Sequence, residues 1–322
     1  MSTEEYHPAL DDPTAWVPYR YHPSNVAAII FVVAFSATTL LHVFQLFKKR
    51  TWYFIPLVVG GIFEIVGFIG RILSHNDLWA LGPFSRQVMQ SLLILIAPAL
   101  FAASIYIILG RIILLVDGER YALVRQKWLT KIFVAGDVFS FLLQGAGNAL
   151  HTGEKLIIAG LFTQLFFFAI FVIVGGIFHY RLVNDNPLQK RMKPRTNGTH
   201  RHISSTSSST PIAGQQLMLN RLPWKRHLYN LYLTSGLIMV RSIFRVVEYL
   251  QGNAGYLLSH EVFLYVFDAV LMLAVMVLFN WSHPSEVTEA YNKRQMSAPT
   301  SELQDMRNQY MGHDLESGRE GS

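Results

Sequence analysis

Arg241, Arg245 and Glu248 interrupt residues 229–252, a stretch otherwise rich in Leu, Ile, Val and aromatic residues. Spacings of four, three and seven residues place all three charges on one helical face. A membrane-spanning helix needs about 20 mostly apolar residues, and a charge near its centre costs on the order of 3 kcal/mol or more. Charges in such a place face other helices, where they pair or line a path for a polar ligand. The two-turn spacing recurs in Glu64 with Arg71, Asp137 with Gln144, Arg241 with Glu248, and Glu261 with Asp268. Five carboxylates then meet three arginines, and two carboxylates are left to be solvated, protonated or matched by a cation. A surplus of negative charge inside an apolar bundle suits a long-chain amine or another cationic amphiphile. Glu64 and Asp137 are the first candidates to meet the amine. Arg71, Arg241 and Arg245 would hold the other carboxylates or meet a phosphate.

The elements that must position these residues are seven apolar spans, near 25–47, 53–73, 87–115, 129–149, 155–178, 229–250 and 261–281. The 322 residues are 51% apolar and 15% charged, and the mean hydropathy is +0.29. Such a chain reads as an all-α, polytopic seven-helix membrane bundle. Its basic residues are sorted by side. The connectors after spans 1, 3 and 5, together with Lys131 and the tail, carry 20 Lys and Arg, and the other connectors carry 3. The positive-inside rule then predicts an extracellular N-terminus and a cytoplasmic C-terminus. The first 24 residues lack a basic n-region and an apolar h-region, so no cleaved signal peptide is expected. With that orientation Glu64, Asp137 and Arg241 lie near mid-membrane, and Arg71, Gln144, Arg245, Glu248, Glu261 and Asp268 lie toward the outer side. The nine residues are expected to line a polar cavity in the outer half of the bundle.

The organisation expected is an extracellular tail at 1–24, a membrane domain at 25–281 and a cytoplasmic tail at 282–322. The loop at 179–228, basic and then Ser-rich, predicts disorder, with its basic part able to hold anionic lipid. The tail is polar and predicts disorder after an amphipathic start. Pro98 predicts a kink in span 3 whose freed carbonyl finds a partner on a neighbouring helix.

Several classes are disfavoured. The chain has no Cys, so disulfides, thiolate metal sites and Cys nucleophiles are absent. His42 is the one histidine well inside a span and reads as a packing residue, and neither H-E-x-x-H nor G-x-S-x-G occurs, so an enzyme is not expected. No phosphate-binding G-x-x-x-x-G-K-[ST] loop is present. The net charge of +6 is sorted across a membrane rather than gathered for nucleic acid. No cofactor is implied. A seven-helix lipid-sensing receptor is the rival reading, although Asp-Arg-Tyr and Asn-Pro-x-x-Tyr motifs are missing.

From about residue 19 to 284 the chain resembles the fungal lipid-translocating exporter family. The resemblance rests on Tyr21-His-Pro-Ser24, Glu64-Ile-Val-Gly67 with Gly70-Arg71, Ala97-Pro98-Ala99 with Ala102-Ala-Ser-Ile-Tyr106, and Gly110-Arg111-Ile112. It continues through Asp137-Val-Phe-Ser140 with Gln144-Gly-Ala-Gly147, Arg241-Ser-Ile-Phe-Arg245 with Glu248, and Gly252, Glu261, Tyr265, Asp268 and His283-Pro284. It implies export or flipping of amphipathic lipids such as sphingoid long-chain bases, and tolerance of toxic lipids and drugs. The membrane implied is the plasma membrane, with the vacuole and endoplasmic reticulum as alternatives. No catalytic motif comes with the resemblance.

Overall fold

The computed structural model describes residues 24–76, 83–116, 118–149, 153–184, 224–252 and 255–292. The expectations for the N-terminal tail, for the basic and Ser-rich parts of the long loop and for the chain after residue 292 lie outside these residues. The disorder expected over 179–228 does not hold at its two ends, where residues 179–183 and 224–228 are helical and packed. Among the described residues every regular element is a helix and no strand occurs.

Helix α1 (Asn25–Lys49) begins where the Ser24 side chain accepts from the Ala27 N–H at 3.4 Å. It ends at Arg50, which sits in the left-handed region with φ of 50° after Lys48 and Lys49 in the last turn. A 3-10 turn, Trp52–Phe54, leads into α2 (Ile55–Asn76), and α3 (Pro83–Leu115) starts on a proline, which suits a first turn. Helices α4 (Gln126–Ala149), α5 (Gly153–Val183) and α6 (Trp224–Leu250) follow. A single turn, Tyr256–Ser259, precedes α7, which runs through Glu261–Leu264, a π-helical segment Tyr265–Val270, and Leu271–Trp281. Residues 285–292 form α8.

Six helices are long and apolar enough to cross a membrane: α1 to α5 and the run through α7. Helix α6 falls outside that set because its first half is polar and Arg241, Arg245 and Glu248 lower its hydropathy. It is nonetheless packed inside the bundle, where Arg241 is fully buried.

The helices close a ring in chain order, α7 returning to α1, with α3 also reaching α6. Helix α3 is the most buried of the six apolar helices and forms the axis of the core. Close approach to α2 is set by glycine: a side chain at Gly60 or Gly67 would stand 2.6 or 2.7 Å from Phe101 or Ile94 of α3. Two sets of packed aromatic rings complete the core, the first stacked and the second tilted or edge-on. Phe31, Phe68 and Tyr265 join α1, α2 and α7, while Tyr106, Phe133 and Phe171 join α3, α4 and α5. Val26, Val33, Leu40 and Phe44 on α1, and Phe139 and Leu142 on α4, point outward, as a lipid-facing surface requires.

The amphipathic start expected of the tail is the helix α8, and it is seated against the bundle. Its Val287 is fully buried, and its polar residues bond to several partners at one end of the bundle. Lys49 Nζ donates to Ser285 at 3.0 Å, Arg111 Nη1 to Thr288 at 3.3 Å, and the Thr288 hydroxyl to Tyr53 at 3.0 Å. His227 lies 3.1 Å from Glu286. The Arg111 guanidinium stacks 3.5 Å from the Tyr53 ring centre.

Candidate functional site

The nine residues singled out by the sequence fall into three groups. The first joins α6 and α7, with α2 alongside. Arg241 Nε donates to Asp268 Oδ1 at 2.6 Å, and Arg245 donates to the other oxygen of the same carboxylate. Arg245 also donates from Nη1 to Glu248 Oε2 at 2.7 Å. All four side chains are buried. Glu64 of α2 shares this space: Asp268, Arg241 and Arg245 are the charges that act on it. Its Oε1 nevertheless has no hydrogen-bond partner among the described residues.

Two helix irregularities meet in this group. Pro98 has no N–H for the carbonyl of Ile94, and Arg241 Nη2 donates to that carbonyl at 2.8 Å. The neighbour expected to satisfy the freed acceptor is therefore the arginine of α6. Asp268 lies in the π-helical segment of α7. Such segments insert extra length into a helix and are common at functional sites. Heptad spacing predicts that Glu261 and Asp268 share a face, yet Glu261 meets α2 while Asp268 meets α6. The wider winding between them turns one relative to the other.

The second group lies at the opposite end of the bundle from α8. Arg71 donates to Glu261 Oε1 from Nη2 at 2.8 Å and from Nε at 3.2 Å, and its Nε also reaches the Tyr265 hydroxyl at 3.2 Å. The Glu261 carboxylate accepts the Ser24 N–H through both oxygens, at 2.8 and 3.0 Å. This carboxylate ties the start of α1 to α2 and α7. Its side chain is 16% exposed, against 1% for Arg71.

The third group stands apart, on α4. Asp137 is 3% exposed, its Oδ2 accepts from the Tyr106 hydroxyl of α3 at 3.0 Å, and its Oδ1 has no partner among the described residues. Gln144, two turns on, donates from Nε2 to Ser140 at 3.1 Å and to Gln164 of α5 at 3.4 Å. The α4–α5 contact is close because residue 160 is glycine: a Cβ there would lie 2.6 Å from Gln144 and 2.7 Å from the Ser140 carbonyl.

The three arginines thus serve Asp268, Glu248 and Glu261. Among the described residues, Glu64 and Asp137 are the two carboxylates of the five that form no salt bridge with an arginine. Sequence reasoning named both but did not separate them, and it missed Gln164, the one amide within α5. Tyr106 and Tyr265 entered it only through the family resemblance. His42 packs, its Nε2 lying 3.0 Å from the Met276 carbonyl. Among the described residues no group of three His, Asp or Glu is placed to hold a metal ion.

Known proteins give this arrangement a context. A family model described as RTA1 like protein matches residues 57–290. The chain belongs to this family. Protein RTM1 of Saccharomyces cerevisiae is 36% identical over 310 residues, covering 82% of this chain and 90% of its own length. Protoporphyrin uptake protein 1 of the same yeast is 35% identical over 309 residues, covering 83% and 92%. Sphingoid long-chain base transporter RSB1 of that yeast is 27% identical over 295 residues, covering 84% and 73%. No solved structure matches the chain. The fungal lipid-translocating exporter assignment is supported by these relatives, and the RTA1-like chain is a multi-pass membrane protein.

Proposed function

We propose that this RTA1-like protein moves amphipathic lipids with a cationic head across a membrane, sphingoid long-chain bases foremost, and so confers tolerance to toxic lipids or drugs. It acts without catalysis, crosses the membrane seven times with α6 as the sixth span, and has its N-terminus outside and C-terminus in the cytoplasm. The membrane is the plasma membrane, and its partners are bilayer lipids and the lipid substrate. The orientation is supported by Lys49, Arg50, Arg111, Arg181, Lys225 and Arg226, which gather at the α8 end.

The observation that carries the reading is that two buried carboxylates, Glu64 and Asp137, form no salt bridge with an arginine among the described residues, while the other three do. A buried carboxylate without a paired counter-charge is costly, and a cationic headgroup supplies one at one of the two. The name of the RSB1 relative supports the substrate class.

The test is release of labelled sphingoid base from yeast cells lacking their own family members, complemented with wild type, Asp137→Asn, Glu64→Gln or Arg245→Gln at matched surface levels. Wild type restores release, and at least one carboxylate variant that reaches the surface does not. Unchanged release with wild type removes the transport reading. If deletion instead alters transcription of other transporters without changing release directly, the lipid-sensing receptor takes its place.

A further inference from the structure

We propose that Asp137, and not Glu64, is the headgroup site, and that it takes a primary ammonium whose neighbouring hydroxyls meet Ser140, Gln144 and Gln164. This deepens the reading above and rests on it.

The two unserved carboxylates differ in what surrounds them. Glu64 lies beside Arg241 and Arg245, and both guanidinium groups keep a donor without an acceptor, Arg241 Nη1 and Arg245 Nε. Asp268 and Glu248 already take these arginines, so an incoming ammonium would enter a filled ion-pair network and meet two like charges as well as the carboxylates that hold them. Around Asp137 no arginine or lysine of the described residues is paired with the carboxylate. Among the described residues its one polar partner is the Tyr106 hydroxyl, and Oδ1 is buried without a hydrogen-bond partner.

The neighbouring groups favour an organic ammonium over a bare ion. The Tyr106 ring lies 5.5 Å from Phe133 and 4.4 Å from Phe171, centre to centre, so the carboxylate borders an aromatic cluster. Aromatic faces attract ammonium groups most strongly where water is excluded. Beyond Asp137 the same face of α4 carries Ser140 and Gln144, and Gln164 joins from α5. From Asp137 to Gln144 this polar strip is about 10 Å long at the rise of an α-helix. It offers amide and hydroxyl groups, both donors and acceptors, and no further charge. A single positive charge flanked by hydroxyls complements it; a carboxylate or phosphate head does not.

Purified full-length protein in lipid nanodiscs is tested with octadecylamine, octadecan-1-ol and sphinganine. Wild type binds the amine at least about tenfold more tightly than the alcohol, the size of one charge-assisted hydrogen bond. Asp137→Asn brings the two within about twofold, Glu64→Gln keeps the difference, and Gln164→Leu weakens sphinganine about threefold or more without affecting octadecylamine. If wild type does not prefer the amine, the cationic-lipid reading itself fails. If the preference survives Asp137→Asn, or disappears in Glu64→Gln instead, that reading stands and this site assignment is overturned. Because a variant can misfold, a photoreactive long-chain amine is also bound to wild type. Attachment within residues 92–183 supports the α3–α5 site, and attachment confined to α2, α6 and α7 overturns it.

Discussion

Arg241 of α6 donates to the main-chain carbonyl of Ile94, the acceptor in α3 that Pro98 leaves without a helical donor. One guanidinium therefore covers a defect in a neighbouring helix and pairs with Asp268 at once. Arg241→Gln is expected to destabilise the bundle by about 3–5 kcal/mol, as when one partner of a buried pair is removed. Pro98→Ala supplies an N–H at the defect and makes part of the arginine's role redundant. The cost of Arg241→Gln should shrink in that background by roughly 0.5–3 kcal/mol. Thermal unfolding of the four variants in detergent measures this, and strictly additive shifts would contradict the linkage.

Among the described residues Asp268 accepts from both Arg241 and Arg245, whereas Glu248 accepts from Arg245 alone. Asp268→Ala leaves two buried cations short of a partner and should cost about 3–5 kcal/mol, with Glu248→Ala nearer 1–3 kcal/mol. Surface abundance at matched transcript level should follow the same order. A Glu248 variant worse than its Asp268 counterpart would show that the α6–α7 pairing is not the principal tie.

The α2–α3 contact makes a steric prediction. Gly60→Val and Gly67→Val place side-chain atoms against Phe101 and Ile94 and should lose about 1–3 kcal/mol through overpacking. Nothing lies within 4 Å of a Cβ built at Gly236, so Gly236→Ala should stay within about 1 kcal/mol of wild type. Size-exclusion profiles after graded heating separate the two classes.

Seating of α8 predicts that chain length matters at the C-terminus. A stop codon after Ser282 removes Ser285, Glu286, Val287 and Thr288, and with them the contacts to Lys49, His227 and Arg111. The truncated protein should unfold at a clearly lower temperature, while Thr288→Ala, which removes its hydroxyl's bonds to Arg111 and Tyr53, should cost about 1–2 kcal/mol. Equal unfolding temperatures for full-length and truncated chains would show that α8 contributes nothing to the bundle.

Much of this was legible in the sequence because bilayer physics restricts where charge can go. The helical spans and the pairing of Arg71, Arg241 and Arg245 with carboxylates follow from the cost of isolated intramembrane charge. Which carboxylate each arginine takes was not legible, since partners such as Arg71 and Glu261 are 190 residues apart and meet only through packing. The distinction between Glu64 and Asp137 was hidden for the same reason: both are single acids at mid-span, and only the fold reveals that one sits among guanidinium groups. The amphipathic character of residues 285–292 was legible, but not their seat on the bundle, because apart from Val287 the contacts are made by hydroxyls and charges that composition assigns to solvent.

The π-helical stretch at Tyr265–Val270 has a consequence for comparing sequences and for engineering. Helical wheels drawn for Glu261–Leu264 and for Leu271–Trp281 are out of phase, so a single wheel drawn through both misassigns which residues of α7 meet lipid. An alignment that closes a one-residue gap here would look trivial and would describe a different helix. Deleting one residue between 265 and 267 should let the segment rewind as ordinary α-helix while leaving Glu261 and Asp268 within roughly 30° of their present relation, because six α steps turn nearly as far as seven partly π-helical ones. A length change of a single residue should therefore be tolerated there, with both carboxylates keeping their arginines, far better than a deletion within Leu271–Trp281, which stores no extra residue and would turn Trp281 and α8 against the rest of the bundle.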